Sequence, residues 1–344
     1  MSKIPMINTQ MEVENFLKKQ SELPKIIVIY WPTGSGKTSL SIDVAKQIDS
    51  EIISTDSRQI FQYLDIGTGK ITEEEKDGVV HHMLDIIPPD REYSVWEFKQ
   101  EAENIINRLQ WESKIPILCW GTGLYIDSLI YDFNIPRVPA DTQLRAKLEQ
   151  QALEFGNEYV YKRLVMLDPE YAKEIHPNNL RYVIRALEIK ILTWKSKTEF
   201  REEKVLKYDV LFLTPYKWDR EALYDRINIR VAQMFSAWLV LEVKSILEKW
   251  YKKTDFWMQT IGYKEVIDYL EWNITLEESI EQVQQYNRNY AKRQLTWFRN
   301  YEKSEEVLEA NAKPLFTKWR ILFLIVVFVV FSLPLIYRYL SFLL

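Results

Sequence analysis

KIIVIYWPTGSGKTSL, Lys25–Leu40, decides how this chain is read. The apolar run Ile26–Tyr30 predicts a buried strand, and a helix-like pattern begins at Thr38 after TGSGKT. Strand, loop and helix in that order are the setting of a phosphate-binding P-loop. There, the backbone N–H groups of Gly34, Ser35 and Gly36 turn into one concavity and the helix N-terminus adds its positive end. Lys37 supplies a point charge for phosphate, and the Thr38 hydroxyl is placed to hold Mg²⁺. The motif asks for glycine at its first position, which here is Trp31.

Outward from the loop, short strands alternate with helical spacing. EIIS (Glu51–Ser54) and IPILC (Ile115–Cys119) read as buried strands, and 95–110 and the stretch from about Leu124 read as helices. VLFL (Val210–Leu213) restores a strand, and helices follow at 219–235, 239–249, 263–271 and 277–300. This alternation predicts an α/β fold, a P-loop NTPase-like parallel sheet flanked by helices. Asp141–Trp194 has helical spacing, few strand-like runs and turn signals at Asp168-Pro169 and His176-Pro177, so it reads as an inserted all-helical domain. The expected divisions are 1–140 and 201–312 for the core, 141–200 for the insertion and 318–344 for a C-terminal hydrophobic helix.

Composition narrows the class. The 344 residues carry a net charge of −4 with both signs interspersed, which leaves room for a local basic face that meets nucleic acid. One cysteine, Cys119, excludes an internal disulfide framework and fits a reducing cytosol. Met1–Gln20 is too polar for a signal peptide. His81, His82 and His176 lack metal-ligand spacing, and His176 reads as a helix-start residue of the insertion. Ile321–Tyr337 is uncharged between Lys318, Arg320 and Arg338, and is apolar on every face. It predicts a membrane-inserted tail with the catalytic part on the cytosolic side; a buried C-terminal helix is the other reading.

Asp56 follows the second strand, and in a parallel sheet it reaches the same edge as the loop. A carboxylate there serves as a general base or holds Mg²⁺ through water, or merely caps a helix. Its neighbours Ser57, Arg58 and Gln59 add a hydroxyl, a cation and an amide able to read a base edge. Thr122, after the third strand, belongs to that edge too.

With these segments in view, the chain resembles the tRNA dimethylallyltransferase family from about Lys25 to Arg299. The resemblance rests on WPTGSGKT, STDSRQIF, DIGTGK, WGTGLY, DPEYAKEIHPNNLRYVIRALEI, LYDRINIRV, MQTIGYKEV and YAKRQLTWFR in series. It implies transfer of an isoprenoid group from dimethylallyl diphosphate to the exocyclic N6 amine of adenine 37, beside the anticodon, in tRNAs reading codons that begin with U. Mg²⁺ is the implied cofactor, tRNA and dimethylallyl diphosphate the partners, and a monomer the expected state. Asp56 is then the base and Thr122 a catalytic neighbour. The donor diphosphate is assigned to the loop residues Trp31, Pro32, Thr33, Gly34, Ser35, Gly36, Lys37 and Thr38. Arg226 and Arg230, four apart on one helix face, join it unless they only form surface ion pairs. The implied RNA contacts are Asp56–Gln59, Thr122, Arg145, Arg181, Arg185, Gln259, Gly262, Tyr263 and Lys264. To these the segment KRQLTWFR adds Lys292, Arg293, Gln294, Thr296, Trp297 and Arg299, cations interleaved with aromatics. By itself that segment reads as an amphipathic helix packing its rings. An ATP-dependent small-molecule kinase and an inactive, membrane-tethered RNA-binding homologue are the rival functions.

The tryptophans are abnormal. The chain has 12 Trp and 9 Gly, where ordinary usage gives about 24 Gly. Trp31 and Trp120 stand where the family pattern has glycine, and Trp238 lies in MFSAWLVLEV where it usually has Ala-Gly-Leu. Trp111, Trp194, Trp250 and Trp272 each follow a helical run, at the left-handed position that favours glycine. Thr275–Glu278 (TLEE) after Trp272 predicts a capping box. Trp96, Trp218 and Trp257 are weaker cases, Trp297 matches a family Trp, and Trp319 lies outside the resemblance. UGA codons that the cell reads as glycine, rendered as tryptophan, account for this bias. Genuine tryptophans would instead point to a degenerate, inactive homologue.

Overall fold

Lys25–Ile29, buried from Ile26 onward, forms the strand β1 in the computed structural model. The structure describes residues 6–119, 121–131, 138, 140–200, 205–215, 220–299 and 301. Two compact units make up the chain, Met1–Tyr290 and Ala291–Leu344.

In the first unit the strands are β1, β2 (Ile52–Ser54), β3 (His81–His82), β4 (Ile117–Cys119) and β5 (Asp209–Leu213). They form one parallel sheet in the order β3-β2-β4-β1-β5. The register pairs Ile29 and Ser54 with Cys119, so β1, β2 and β4 end level with one another. Their following loops therefore open on one edge, the usual ligand edge of such sheets. Buried aliphatics pack the strands: Ile27, Ile29, Ile52 and Ile117 join Val13, Val44 and Leu213 in one core.

Helices surround or extend the sheet: α1 (Met6–Lys18), α2 (Lys37–Ile48), α3 (Glu73–Lys76), α4 (Val95–Trp111), α5 (Gly123–Ile130), α6 (Thr142–Phe155), α7 (Asn157–Leu167), α8 (Pro169–Ala172), α9 (Leu180–Thr193), α10 (Arg220–Ser236), α11 (Leu239–Glu248) and α12 (Tyr263–Leu270). Residues 276–290 are also helical, opened by the TLEE capping box: Thr275 N–H donates to Glu278 at 2.7 Å and Glu278 N–H to Thr275 Oγ1 at 3.1 Å. α2 packs on β1, β2 and β4, and α1 packs on β5.

Helices α6 to α9 have their own apolar core, built on Leu148, Val160, Leu164, Val183 and Leu187. The chain leaves the sheet region through Tyr131 and returns at Leu206, and these two residues meet in an isolated antiparallel bridge. Glu188 of α9 is fully buried and anchors the bundle. It accepts two hydrogen bonds from Arg145, both 2.8 Å, one from Asp141 N–H at 2.7 Å and one from Arg185. His176 lies in the turn before α9, its Nδ1 accepting from Asn178 N–H at 3.2 Å.

Several tryptophans sit where the backbone turns left-handed. Trp194, Trp238, Trp250 and Trp272 have φ of 60°, 75°, 72° and 63°, a region that costs an ordinary L-residue about 1–2 kcal/mol. Their side chains are 81%, 68%, 90% and 91% exposed, so burial returns little of that cost. Trp194, Trp250 and Trp272 donate their N–H groups to Lys190, Leu247 and Tyr269 carbonyls at 2.9–3.1 Å, closing the ends of α9, α11 and α12. Trp111 departs from the expectation: it is the last helical residue of α4, and Ser113 takes the positive φ of 60°. Trp257 also departs, for its ring is fully buried, edge-on to Tyr263, with Nε1 donating to Lys252 O at 3.1 Å. Trp120 and Trp218 lie outside the described residues, as does the apolar tail 318–344. No helix among the described residues is long and apolar enough to cross a membrane.

Candidate functional site

The loop between β1 and α2 ends at Gly36, left-handed with φ 96°, which opens α2 without a side-chain cap. The first N–H groups of α2 thus stay available to an anion. Gly34 also has positive φ, and a Cβ there would press on Ile227 of α10 at 3.4 Å. Lys37, only 4% exposed, donates to Pro32 O at 2.8 Å across the loop. Burial lowers its amine from 10.5 to about 8; Cys119 and Asp56 pull it up and Arg230 pushes it down.

α10 crosses above the loop. Arg226 Nε donates to Gly34 O at 2.9 Å, and Arg230 Nη1 donates to Thr33 Oγ1 at 2.9 Å. The two arginines expected from their i,i+4 spacing therefore both reach the loop. Burial depresses the Arg230 guanidinium below its ordinary value, and Asp56 and Glu75 oppose that. Three cations converge on a cradle of backbone donors.

Beside it, the loop after β2 is held by β4. Thr55 N–H and Oγ1 both bond to Cys119 O, at 2.8 and 3.2 Å. Ser57 N–H donates to Thr122 Oγ1 at 3.2 Å. Asp56 Oδ1 accepts the N–H of Arg58 at 2.8 Å, a local turn that fixes the carboxylate at the loop tip. Arg58 lies 5.3 Å over the Phe256 ring. Burial lowers its guanidinium, with Asp56 the main opposing charge, and its Nη1 is buried without a hydrogen-bond acceptor among the described residues. Gln59 is buried and donates to the carbonyls of Thr68 and Gly69 at 3.4 and 3.2 Å. Its amide is spent on the DIGTGK loop.

The remaining sequence-predicted residues divide. Arg181 and Lys264 are exposed, as is Gln259, whereas Arg145 and Arg185 spend their guanidinium groups on Glu188. Tyr263, placed by sequence among the RNA contacts, is fully buried, and its hydroxyl donates to Glu242 at 2.6 Å. Gly262 carries φ 105° and opens α12 with its N–H on Glu265 at 2.8 Å. Lys292–Arg299 belongs to the second unit, where 291–299 is helical, Lys292, Arg293, Thr296, Trp297 and Arg299 face solvent, and Gln294 is buried.

Trp31 is 7% exposed, edge-on to Tyr30, and its Nε1 has no acceptor among the described residues. Glu242, in α11, was not singled out from sequence. Its carboxylate accepts N–H groups from Asp65, Ile66 and Gly67 at 3.0, 2.6 and 3.1 Å. The only signal was one acidic residue inside the apolar run LVLEV.

Sheet order and flanking helices define an α/β enzyme, with a glycine loop and a buried lysine at the edge of its parallel sheet. The family model for IPP transferase matches residues 59–301. A tRNA dimethylallyltransferase of Alkaliphilus oremlandii is 49% identical over 280 residues, 81% of this chain and 89% of that protein. One from Bacillus mycoides is 46% identical over 278 residues, 80% and 87% of the two. Among solved structures, the tRNA isopentenylpyrophosphate transferase of Bacillus halodurans is 42% identical, covering 80% of this chain and 87% of that one, with TM-score 0.58. A eukaryotic dimethylallyltransferase acting on tRNA is 31% identical over 80% and 70%, with TM-score 0.69. This chain belongs to the IPP transferase family.

Proposed function

We propose that the protein is a tRNA dimethylallyltransferase. It moves a dimethylallyl group from dimethylallyl diphosphate to N6 of adenine 37 in tRNAs reading codons that begin with U. The observation that carries this reading is the convergence of Lys37, Arg226 and Arg230 on one glycine loop beside Asp56, in a chain 49% identical to a tRNA dimethylallyltransferase.

The chemistry follows from those groups. N6 attacks the donor C1 while the C1–O bond breaks, and diphosphate leaves with the bonding pair. Departing charge is stabilised by the loop N–H groups, Lys37, Arg226 and Arg230. The adenine amine is a weak nucleophile because its lone pair is delocalised. Asp56 takes its proton as the N–C bond forms, and the base must leave its stack to arrive there. Thr122 holds the Asp56–Arg58 loop through Ser57 N–H.

Mg²⁺ fits this donor set. The Thr38 hydroxyl, in the first turn of α2, is a hard oxygen ligand of the kind that would share Mg²⁺ with substrate phosphates, which leaves the Asp56 carboxylate to act as the base. The chemistry Mg²⁺ supplies there is charge neutralisation on the leaving diphosphate. tRNA meets Arg58, Arg181, Lys264 and the cation-rich segment Lys292–Arg299. The catalytic part is cytosolic and monomeric, and the uncharged tail Ile321–Tyr337 is its membrane attachment.

The test is direct. Full-length protein with dimethylallyl diphosphate and tRNA is expected to yield N6-dimethylallyladenosine, read by mass spectrometry of the nucleosides. Asp56→Asn is expected to lower that rate about 10²–10⁴-fold. Phosphorylation of a small acceptor from ATP, with no prenylated tRNA, would replace this reading by a kinase. tRNA binding without transfer, in a Trp31→Gly variant, would replace it by an inactive RNA-binding homologue.

A further inference from the structure

The DIGTGK loop, Asp65–Lys70, carries none of the expected chemistry, yet it contacts Gln59 and Arg230 of the site. Gly69 O accepts from Gln59 at 3.2 Å and from Arg230 Nη2 at 3.5 Å. A methyl at Gly69 would collide with the Arg230 guanidinium, and one at Gly67 would lie 2.5 Å from the Tyr263 ring. The loop is thus wedged between Tyr263 and Arg230 with no side chain to spare at either contact. One carboxylate fixes it there. Glu242 binds three successive N–H groups of the loop and the Tyr263 hydroxyl, four hydrogen bonds in all.

We propose that Glu242 is a positioning residue for the donor site: by clamping Asp65–Gly67 against Tyr263 it sets the loop that aims Arg230 at Thr33 and the diphosphate. The carboxylate touches no substrate. Its charge is satisfied by backbone donors, and the result is transmitted through the Gly69 carbonyl. This rests on the assignment of Arg230 to the diphosphate.

A double-mutant cycle read by titration with inorganic pyrophosphate tests it, in the full chain and again with Trp31→Gly. Glu242→Gln keeps the shape but turns one acceptor oxygen into an NH₂ facing N–H donors. The pyrophosphate Kd is expected to rise about fivefold to thirtyfold, within the range of coupling between groups in one network. In an Arg230→Ala background the same change is expected to shift Kd less than about twofold, since no guanidinium is left to aim. Equal losses in both backgrounds overturn the proposal, as does a lower Tm with unchanged Kd. If Glu242→Gln does not fold, Tyr263→Phe removes one of the four bonds; it should weaken pyrophosphate in the same direction, and an unchanged Kd counts against the clamp. An Arg230→Ala variant that binds pyrophosphate normally instead refutes the Arg230 assignment.

A separate observation carries a second inference. Four tryptophans occupy left-handed backbone with exposed rings, and Trp31, in the loop after β1, buries an indole N–H without an acceptor among the described residues. Glycine adopts left-handed φ at no steric cost and leaves a loop open to phosphate. We infer that the cell's own chain carries glycine at 31, 194, 238, 250 and 272, encoded by UGA codons that it reads as glycine. Sequencing the coding DNA is expected to find UGA at those five codons and UGG at Trp297, and peptide mass spectrometry of the native protein to find glycine at the five sites. UGG at those five codons overturns it.

Discussion

Lys37 shows how one buried charge ties the site to pH. Burial brings its amine to about 8. Because the folded value lies below the unfolded 10.5, its contribution to stability is fully present above 10.5 and is lost as pH falls through about 8. Ligand binding runs the other way, since diphosphate needs the ammonium form. Donor affinity should hold level below about pH 8 and then weaken up to about tenfold per unit. Calorimetry at pH 9 in two buffers of different ionisation enthalpy should show proton uptake on binding. The exposed tryptophans give a second prediction at this scale. Trp194→Gly, Trp250→Gly and Trp272→Gly should each stabilise the chain by about 1 kcal/mol, from relief of left-handed strain. Denaturant midpoints should rise with unchanged m-values. Those three were legible in sequence because each ends a helical pattern. Trp111 was not: α4 runs one residue further than its spacing suggests, and Ser113 makes the turn.

Among elements, α9 and α6 depend on Glu188. Burial alone would raise its carboxyl, but the hydrogen bonds from Arg145, Arg185 and Asp141 N–H outweigh it and hold the group below its ordinary value. The depressed value means its stabilisation is present above the unfolded carboxylate pKa and fades as pH falls through the folded one. Glu188→Ala should cost about 2 kcal/mol, less than a fully enclosed ion pair because both guanidinium groups meet solvent. Hydrogen exchange should quicken across α6 to α9 before the sheet is affected. Spacing placed Arg226 and Arg230 together on α10, since periodicity reports which residues share a face, whereas Arg181 and Arg185 on α9 entered only through the family resemblance. Periodicity does not report what a side chain meets. Arg185 turned to Glu188, and Glu242 found its partners in backbone 175 to 177 residues away. β3 escaped notice for a related reason: two histidines form no apolar run, and β3 exists only because β2 offers a free edge.

Across the whole molecule, acid stability and catalysis sit at opposite ends of the sheet. Glu51 precedes β2, away from the phosphate edge, and accepts from His82, Arg108 and Lys114. Burial raises its carboxyl, yet those three donors outweigh it and bring it down to about 2. Its stabilisation should be full above the ordinary 4.5 and vanish as pH falls through about 2. Glu51→Gln should lower the denaturant midpoint at pH 7, have a smaller effect at pH 3, and leave pyrophosphate affinity unchanged. The sheet and its phosphate loop were legible because apolar runs and glycine spacing are local signals. The clasp at Tyr131 and Leu206 was not, since it joins residues on either side of an excursion of about seventy positions. A segment that exits and re-enters through one doorway can lengthen, shrink or be exchanged while every strand keeps its partner. Evolution is thereby free to retune the helical excursion without renegotiating the sheet that carries it.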